Sequence, residues 1–244
     1  SLLAPALRVY DLVHSYRACG HLAADIDPLG RSPREHALLD LTEFGLGDPE
    51  MPLRVRCETF RCFQEASFGE FLLALRETYC GHVGVEYMDV ADKDQRDWLQ
   101  QRLEPCRNRP AVEAAAKREL LRQLVVADTF AETLGRMYPG GKRFSLEGGT
   151  TLVPMLNTIV EDAARAGVEQ IVMGMAHRGR LNVLAHVLGK PLEYILAEFE
   201  GRPLPKEVQG YGDVKYHLGW SRSHDSASGR RIDLSLEFNP SHLE

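Results

Sequence analysis

One histidine and two arginines stand close together in the last third of the chain. They are His177, Arg178 and Arg180, and Gly179 separates the two arginines. Guanidinium groups bind carboxylates and phosphates, and an imidazole can donate to a carboxylate or move a proton near neutral pH. The cluster therefore predicts a site for an anionic ligand, with ordinary ion pairs between surface arginines and carboxylates as the equal alternative.

The residues around this cluster read as a buried strand that turns directly into an amphipathic helix. Residues 171–173 form a short apolar run that breaks at Gly174, and apolar residues then recur at helical spacing, at Leu181, Leu184, Ala185 and Leu188. In open α/β sheets, ligands bind at the carboxyl ends of strands, where unpaired N–H groups at the start of a helix also favour an anion. The junction between strand and helix is thus the place where we expect the ligand.

Two different patterns divide the chain into two predicted domains. Helical spacing dominates residues 1–108, whereas helices alternate with short strand patterns in residues 109–244. The sequence therefore predicts the α/β class, with a helical amino-terminal domain followed by an α/β domain. The predicted helices are 2–24, 67–79, 92–104, 111–138, 150–166 and 190–200; the predicted strands are 82–90, 169–175 and 231–238, and residues 222–230 are predicted as a surface turn.

The composition is that of an ordinary globular protein, with 44% hydrophobic and 26% charged residues among 244. A net charge of −6 argues against a general nucleic-acid binder. No apolar run approaches the ~20 residues that span a bilayer. The first residues also lack the basic start and apolar core of a signal peptide. We therefore expect neither nucleic acid nor membrane as a partner.

No metal site is predicted within these residues. The five cysteines are scattered and fit a reducing compartment better than a disulfide framework. Cys57 and Cys62 have no second pair of Cys or His residues that would complete a zinc site. His21, Asp25 and Asp27 could be read as ligands, but such a cluster is more typical of a helix end and the loop behind it.

Six sequence blocks, which cover nearly the whole chain, carry a resemblance to a known family. They are YRACGHLAADIDPLG (16–30), TYCGHVGVEYM (78–88), KRFSLEGG (142–149), MGMAHRGRLNVLAHVLGK (173–190), GDVKYHLG (212–219) and FNPSHLE (238–244). In this order they resemble the thiamine-diphosphate-dependent decarboxylating component of the 2-oxoglutarate dehydrogenase complex, and the relative that acts on 2-oxoadipate is similar. The resemblance implies a diphosphate-binding α/β domain with a mainly parallel sheet.

The resemblance assigns roles to individual residues. It implies that His177, His217 and Ser221 bind the 2-oxo acid, and that His177 and His217 assist proton movements at the reacting carbon. It implies cofactor contacts at four positions, namely Arg178, His217, Ser241 and Leu243.

From the sequence alone, the histidines of this region can also be structural residues rather than site residues. Without the resemblance, His186 and His224 read as surface or packing residues, whereas the sequence alone leaves both readings open for His217 and His242.

The implied cofactors are thiamine diphosphate and Mg²⁺. The implied reaction is the oxidative decarboxylation of 2-oxoglutarate in the tricarboxylic acid cycle, with transfer of the succinyl group to a lipoyl group on a partner protein. The implied partners are the lipoyl-bearing succinyltransferase and the dihydrolipoyl dehydrogenase of the multienzyme complex, and a second copy of the chain in a homodimer. The implied compartment is the bacterial cytoplasm, or the mitochondrial matrix in a eukaryote.

The sequence departs from the family in one large respect. The Gly-Asp-Gly-type motif and the later asparagine that hold magnesium and the diphosphate fall after the point that corresponds to Glu244, and Gly212-Asp213 belongs to a substrate-side block instead. We therefore expect the chain to be the amino-terminal part of a longer enzyme, to lack a complete thiamine site and to be inactive by itself. A strand that ends at Phe238 would also be left at an exposed sheet edge.

Two other functions stay open from the sequence. One is the same chemistry on 2-oxoadipate, because one methylene in a pocket changes discrimination by only ~1–3 kcal/mol. The other is a non-catalytic fragment that binds an anionic effector through Arg178 and Arg180, or docks partner subunits through the helices of residues 1–104.

Overall fold

The computed structural model of the protein describes residues 3–31, 33, 35–47, 54–56, 60–62, 65–204 and 216–239. The chain divides into two compact units, Ser1–Val112 and Glu113–Glu244. Helices and strands both occur, which confirms the predicted mixture. The assignment of the second unit to a diphosphate-binding domain stays a prediction.

The first unit is built on three α-helices, all at positions that the sequence predicts. Helix α1 is Leu3–Cys19, α2 is Phe68–Tyr79 and α3 is Lys93–Leu103. Between them lie 3₁₀ turns at Gly20–Ala23, Ala37–Leu39 and Leu41–Phe44, and an antiparallel pairing of β1 (Arg54–Val55) with β2 (Ala66–Ser67).

Helix α2 begins at a complete capping box. The Ser67 hydroxyl accepts from the Glu70 backbone N–H, and the Glu70 carboxylate accepts from the Ser67 N–H at 3.0 Å. These bonds satisfy donors that a helix start would otherwise leave open. The Ser67 hydroxyl also donates to the Glu70 carboxylate at 2.7 Å, and this bond, followed by that from the Ser67 N–H, lowers the pKa of the Glu70 carboxyl.

Glu104 joins three parts of the first unit although its side chain is fully buried. Its carboxylate accepts from Arg17 Nη2 at 2.6 Å, from the Tyr79 hydroxyl at 2.7 Å and from the Arg61 backbone N–H at 2.8 Å. Burial, and next the Glu104 charge, raise the pKa of the Tyr79 hydroxyl above its ordinary value. A buried carboxylate held in this way is stable only while its partners remain in place.

The second unit contains four helices and a three-stranded sheet within its described residues. Helix α4 is Ala114–Met137, α5 is Leu152–Ala166, α6 is Arg180–His186 and α7 is Leu192–Phe199; strand β3 is Gln170–Met173, β4 is Trp220–Asp225 and β5 is Arg231–Leu236. The strand order is β3-β5-β4, with β5 parallel to β3 and antiparallel to β4. One pairing is thus parallel and one antiparallel, and the mainly parallel sheet stays a prediction.

One face of this sheet packs against the helices. Ile232, Leu234 and Leu236 alternate along β5 and are buried together with apolar side chains of the helices. The residues between them, such as Asp233, point to the opposite face, as the period of two in a strand requires. This core fixes the ends of the strands, which lie beside the candidate site.

Three expectations from the sequence are wrong. Residues 82–90 form no strand, and Tyr87 from this segment is buried in the first core. Residues 222–225 belong to β4, so the predicted surface turn is confined to the segment after Asp225. Strand β5 does not lie at a sheet edge, because it pairs with β3 on one side and β4 on the other.

Candidate functional site

The candidate site lies where β3 ends and α6 begins. Residues 174–179 connect these two elements, and the segment 216–219 leads into β4 next to them. A third segment, residues 143–147, reaches the same place, because the Gly179 N–H donates to the Phe144 carbonyl at 2.7 Å. The site is therefore assembled from three separate parts of the second unit.

Four rings from these segments form one cluster. The Phe144 ring lies 4.2 Å from the His177 ring and 5.0 Å from the Tyr216 ring, measured between centroids. His217 is largely buried, and its ring lies 6.0 Å from His177 and 5.0 Å from Tyr216. The structure thus brings together the two histidines for which the resemblance implies a catalytic role.

The backbone is tightly constrained beneath these rings. Phe144 has a φ of 46°, in the left-handed region that non-glycine residues rarely adopt. Gly179 has a φ of 79°, and a Cβ atom at this position would lie 2.3 Å from Leu146 Cδ2. Only glycine can satisfy both conditions at residue 179, so the close approach of the two loops depends on it.

Arg180 is buried and ties several segments together. Its Nη1 donates to the carbonyls of Leu218 at 3.1 Å and Glu237 at 2.6 Å, and its Nη2 donates to the carbonyl of Met175. Burial lowers the pKa of its guanidinium from the ordinary value. The expectation that Arg180 contributes to an anion site is wrong, because its Nη1 and Nη2 donate to backbone carbonyls inside the protein.

Arg178 occupies a different environment from Arg180. It is exposed, and its Nη1 donates to the Ser145 carbonyl at 3.1 Å. Its charge also contributes to lowering the pKa of the Glu147 carboxyl, after the larger effect of the hydrogen bond from Ser145. Of the two arginines in the predicted anion site, Arg178 is the one with a guanidinium at the surface.

Of the other predicted site residues, the structure describes Ser221. Ser221 is on β4, where its hydroxyl contacts the Ser235 hydroxyl at 2.8 Å, rather than in the ring cluster. Ser241 and Leu243, the predicted cofactor contacts, lie outside the described residues, as does His242.

His186 and His224 occupy packing positions, in agreement with their reading from sequence. The His186 ring meets Phe130 edge-on at 5.1 Å, and burial lowers its pKa. His224 contacts Glu161 at 2.7 Å.

Two residues of the ring cluster were missed by reasoning from sequence. Phe144 and Tyr216 both stand inside blocks that carry the family resemblance, and Tyr216 directly precedes His217. An aromatic residue beside a candidate catalytic histidine is a usable signal, because aromatic faces pack against imidazoles and fix their orientation.

The arrangement can bind and orient a small molecule that carries oxygen atoms. Two imidazoles from separate segments can donate hydrogen bonds to carboxylate or keto oxygens and can accept or return a proton.

Within the described part of the chain, no group of three His, Cys, Asp or Glu side chains is placed to share a metal ion. No helix among the described residues has the length and apolar character needed to cross a bilayer.

The described residues combine helices and strands as in the α/β class, and the ring cluster brings two histidines together. No family model matches the chain. It is, however, 44% identical over 98% of its length to the "2-oxoglutarate dehydrogenase E1 component" of Azotobacter vinelandii and 39% identical over 98% to the protein of the same name from Brucella anthropi. It is also 42% identical over 97% of its length to the "Multifunctional 2-oxoglutarate metabolism enzyme" of Mycolicibacterium vanbaalenii.

These similarities confirm the resemblance that the six sequence blocks predict. The chain spans 25%, 24% and 19% of the Azotobacter, Brucella and Mycolicibacterium proteins, respectively. The relatives are therefore about four to five times longer than this chain.

Proposed function

We propose that this chain forms part of a 2-oxoglutarate dehydrogenase that decarboxylates 2-oxoglutarate oxidatively and passes the succinyl group to a lipoyl group. The single observation that carries the proposal is the contact between His177 and His217, in a chain similar over nearly its whole length to proteins of that name. The lipoyl disulfide would accept the two electrons together with the acyl group, and CO₂ would leave.

His177 and His217 would hold and orient the substrate. A 2-oxo dicarboxylate carries acceptor oxygens at both ends and at the keto group, and imidazole N–H groups satisfy such oxygens. One of the two imidazoles would also move the proton at the reacting carbon, as a general acid or base near neutral pH. Phe144 and Tyr216 would limit the rotation of the imidazoles and exclude water from their faces.

Thiamine diphosphate would supply the electron sink for decarboxylation. Of the four implied contacts to this cofactor, the structure describes two, the exposed guanidinium of Arg178 and the His217 ring, while Ser241 and Leu243 fall outside the described residues. We therefore assign to this chain the binding and proton steps and derive no step through the cofactor.

The partners follow from the proposed reaction. A lipoyl-bearing succinyltransferase would receive the acyl group, and a dihydrolipoyl dehydrogenase would reoxidise the lipoyl group within one complex. We further propose that the complete enzyme is a homodimer and that its reaction belongs to the tricarboxylic acid cycle.

The binding test follows the histidine ring protons of the 244-residue chain by NMR during titration with 2-oxoglutarate. We expect the His177 and His217 signals to shift with one common dissociation constant. His177→Asn should weaken binding by roughly tenfold or more, because it removes a hydrogen bond to a charged group, worth ~1.5–3 kcal/mol. His14→Asn, at an exposed position of α1, is the matched control and should leave binding unchanged.

The activity test uses a chimera in which this chain replaces the aligned quarter of the Azotobacter protein. CO₂ release from 2-oxoglutarate is measured with an artificial electron acceptor, and His177→Ala should lower turnover by ~10²-fold or more. Undiminished turnover in this variant would refute the role of His177. A higher kcat/KM with 2-oxoadipate would transfer the proposal to that substrate, and binding without turnover would favour the non-catalytic alternative.

A further inference from the structure

Ser221, Ser235 and Glu237 form a short chain of hydrogen bonds on the sheet face that points away from the helices. Ser221 on β4 lies directly opposite Ser235 on β5, and their hydroxyl oxygens are 2.8 Å apart. The Ser235 hydroxyl also donates to Glu237 Oε1 at 2.9 Å. The chain lies at the carboxyl end of β5, and ligands of open α/β sheets bind at the carboxyl ends of strands.

A count of the hydroxyl protons fixes the direction of these bonds. Ser235 has one hydroxyl proton, and a carboxylate can only accept, so that proton lies between Ser235 and Glu237. The bond between the two serines must then use the proton of Ser221. Ser221 therefore presents only its oxygen lone pairs to a ligand, and it could donate to one only by giving up its bond to Ser235.

The neighbouring serine on the same face shows how such an arrangement is completed. The Ser223 hydroxyl donates to Asp233 Oδ1 at 2.5 Å, and its oxygen accepts from Arg231 Nη2 at 2.7 Å. Ser221 donates in the same way, but among the described residues no N–H group donates to its oxygen. The lone pairs of Ser221 thus suit a hydrogen-bond donor and repel an anionic oxygen.

We propose that Glu237, acting through Ser235, is a positioning residue that fixes Ser221 as a hydrogen-bond acceptor. The proposal rests on the proposed function in that it takes Ser221, an implied contact of the 2-oxo acid, as part of the substrate site. Every oxygen of the 2-oxoglutarate dianion is an acceptor, so Ser221 can donate to this substrate only after its bond to Ser235 is broken. Glu237 therefore weakens the binding of an anionic oxygen at Ser221 and favours a ligand with a donor there, such as the hydroxyl of a 2-hydroxy acid.

Neutron diffraction from crystals of the 244-residue chain in D₂O tests the direction of the bonds without any ligand. We expect the hydroxyl deuterium of Ser235 to point to Glu237, and that of Ser221 to point to Ser235. A Ser235 deuterium that points to Ser221, or a Ser221 deuterium that points to solvent, would overturn the proposal whether or not the chain binds 2-oxoglutarate.

The effect on a ligand is measured as the dissociation constant of 2-oxoglutarate, by NMR titration of the chain and its variants. Glu237→Gln should tighten binding roughly threefold or more, because an amide can donate to Ser235 as well as accept, and the chain of bonds can then reverse toward the ligand. The gain should be lost when Ser221→Ala is added to Glu237→Gln, since no hydroxyl then reaches the ligand.

Asp233→Asn is the matched control, because it removes the same charge from the same face at a residue that bonds to Ser223 instead of Ser235. It should change the dissociation constant less than twofold. Equal gains in the Glu237 and Asp233 variants would show a simple effect of charge and contradict the proposal, as would a gain that survives Ser221→Ala or an unchanged constant in Glu237→Gln. A parent chain that binds no 2-oxoglutarate would be a failure of the proposed function, and the neutron result would then decide the role of Glu237.

Discussion

Arg178 and Arg180 differ in their surroundings although one residue separates them. Arg180 is the first residue of α6 and is 1% exposed, whereas Arg178 stands in the preceding turn at the surface. Side chains at the start of a helix point back toward the preceding turn, which directs the Arg180 guanidinium between the chain segments that end at Met175, Leu218 and Glu237. One side chain thereby holds the His177 loop against the His217 segment.

Substitution by methionine should therefore destabilise the protein at Arg180 far more than at Arg178. Arg180→Met keeps the aliphatic stem but leaves three carbonyls without their donor, and each unsatisfied buried acceptor costs ~1–3 kcal/mol. We expect a loss of about 3 kcal/mol or more in the free energy of unfolding, measured by urea denaturation. Arg178→Met should change it by about 0.5 kcal/mol or less, as exposed substitutions do. Equal losses in the two variants would contradict the anchoring role of Arg180.

The surroundings of the residues at the candidate site do not follow from local sequence patterns. Only the family resemblance predicts that His177 and His217 lie close together, because no local pattern links two positions so far apart in sequence. The burial of Arg180 could not be predicted, since arginines usually stay at the surface and α6 is too short to show a polar face. The strained φ of Phe144 likewise depends on its contact with Gly179, which only the fold creates.

Strand β4 shows why some elements escape a hydrophobic pattern. Its half-buried positions are Trp220, Arg222 and His224, and its exposed positions lie between them. Alternation is present, but two of the three inward residues are polar side chains that bury their stems and direct their tips to partners. A period-two search that counts only apolar residues therefore reads this strand as a turn.

The opposite error was made at residues 82–90. The run contains valines and a tyrosine, which favour a strand, yet no strand among the described residues pairs with it, and Tyr87 is buried in the first core instead. Strand propensity reflects packing on a pleated surface more than an intrinsic backbone preference. The helices with caps or clear stops, such as α2, α3 and α5, were predicted closely because their signals are local.

Glu161 links α5 to the hairpin of β4 and β5. Its Oε1 contacts His224 Nε2 at 2.7 Å, and its Oε2 accepts from the Ala227 N–H at 2.9 Å. The hydrogen bond from His224, followed by that from Ala227, lowers the pKa of the Glu161 carboxyl below its ordinary value of 4.5. The carboxylate form is thus favoured in the folded protein.

The lowered pKa predicts a dependence of stability on pH. A carboxyl whose pKa is lower when folded stabilises the protein above the unfolded value of 4.5, and this contribution is lost as the pH falls through the folded pKa. Glu161→Gln should therefore lower the free energy of unfolding by about 1 kcal/mol near neutral pH. The decrease of this free energy below pH 4.5 should also be less steep in the variant. The measurement is the free energy of unfolding of both proteins between neutral and acidic pH. If the free energies of unfolding of variant and parent changed in parallel with pH, Glu161 would not contribute to the pH dependence.

The two compact units have separate apolar cores. The first core draws its buried residues from Val9 to Tyr87, and the second from Ala127 to Leu236. Each core is thus contained within one of the units that meet at Val112 and Glu113. A domain with its own core can in principle fold alone.

The first unit should therefore fold as an isolated fragment. We expect residues 1–112 to give dispersed amide signals that overlay those of the intact chain, and to unfold cooperatively in urea. Residues 1–91 are the matched control, which should be unfolded because the fragment lacks α3 and the buried Glu104 that binds Arg17 and Tyr79. An unfolded 1–112 fragment, or a folded 1–91 fragment, would contradict the independence of this core.

The central position of β5 has a consequence for biosynthesis. On the ribosome, β3 emerges well before β5, which later pairs with it from Gln170 opposite Asp233. Until then, the backbone N–H and C=O groups of β3 lack this partner strand. At ~5–20 residues per second the wait lasts several seconds. During that interval the nascent polypeptide exposes Ile171 and Met173, which pack against the second core once the sheet is complete.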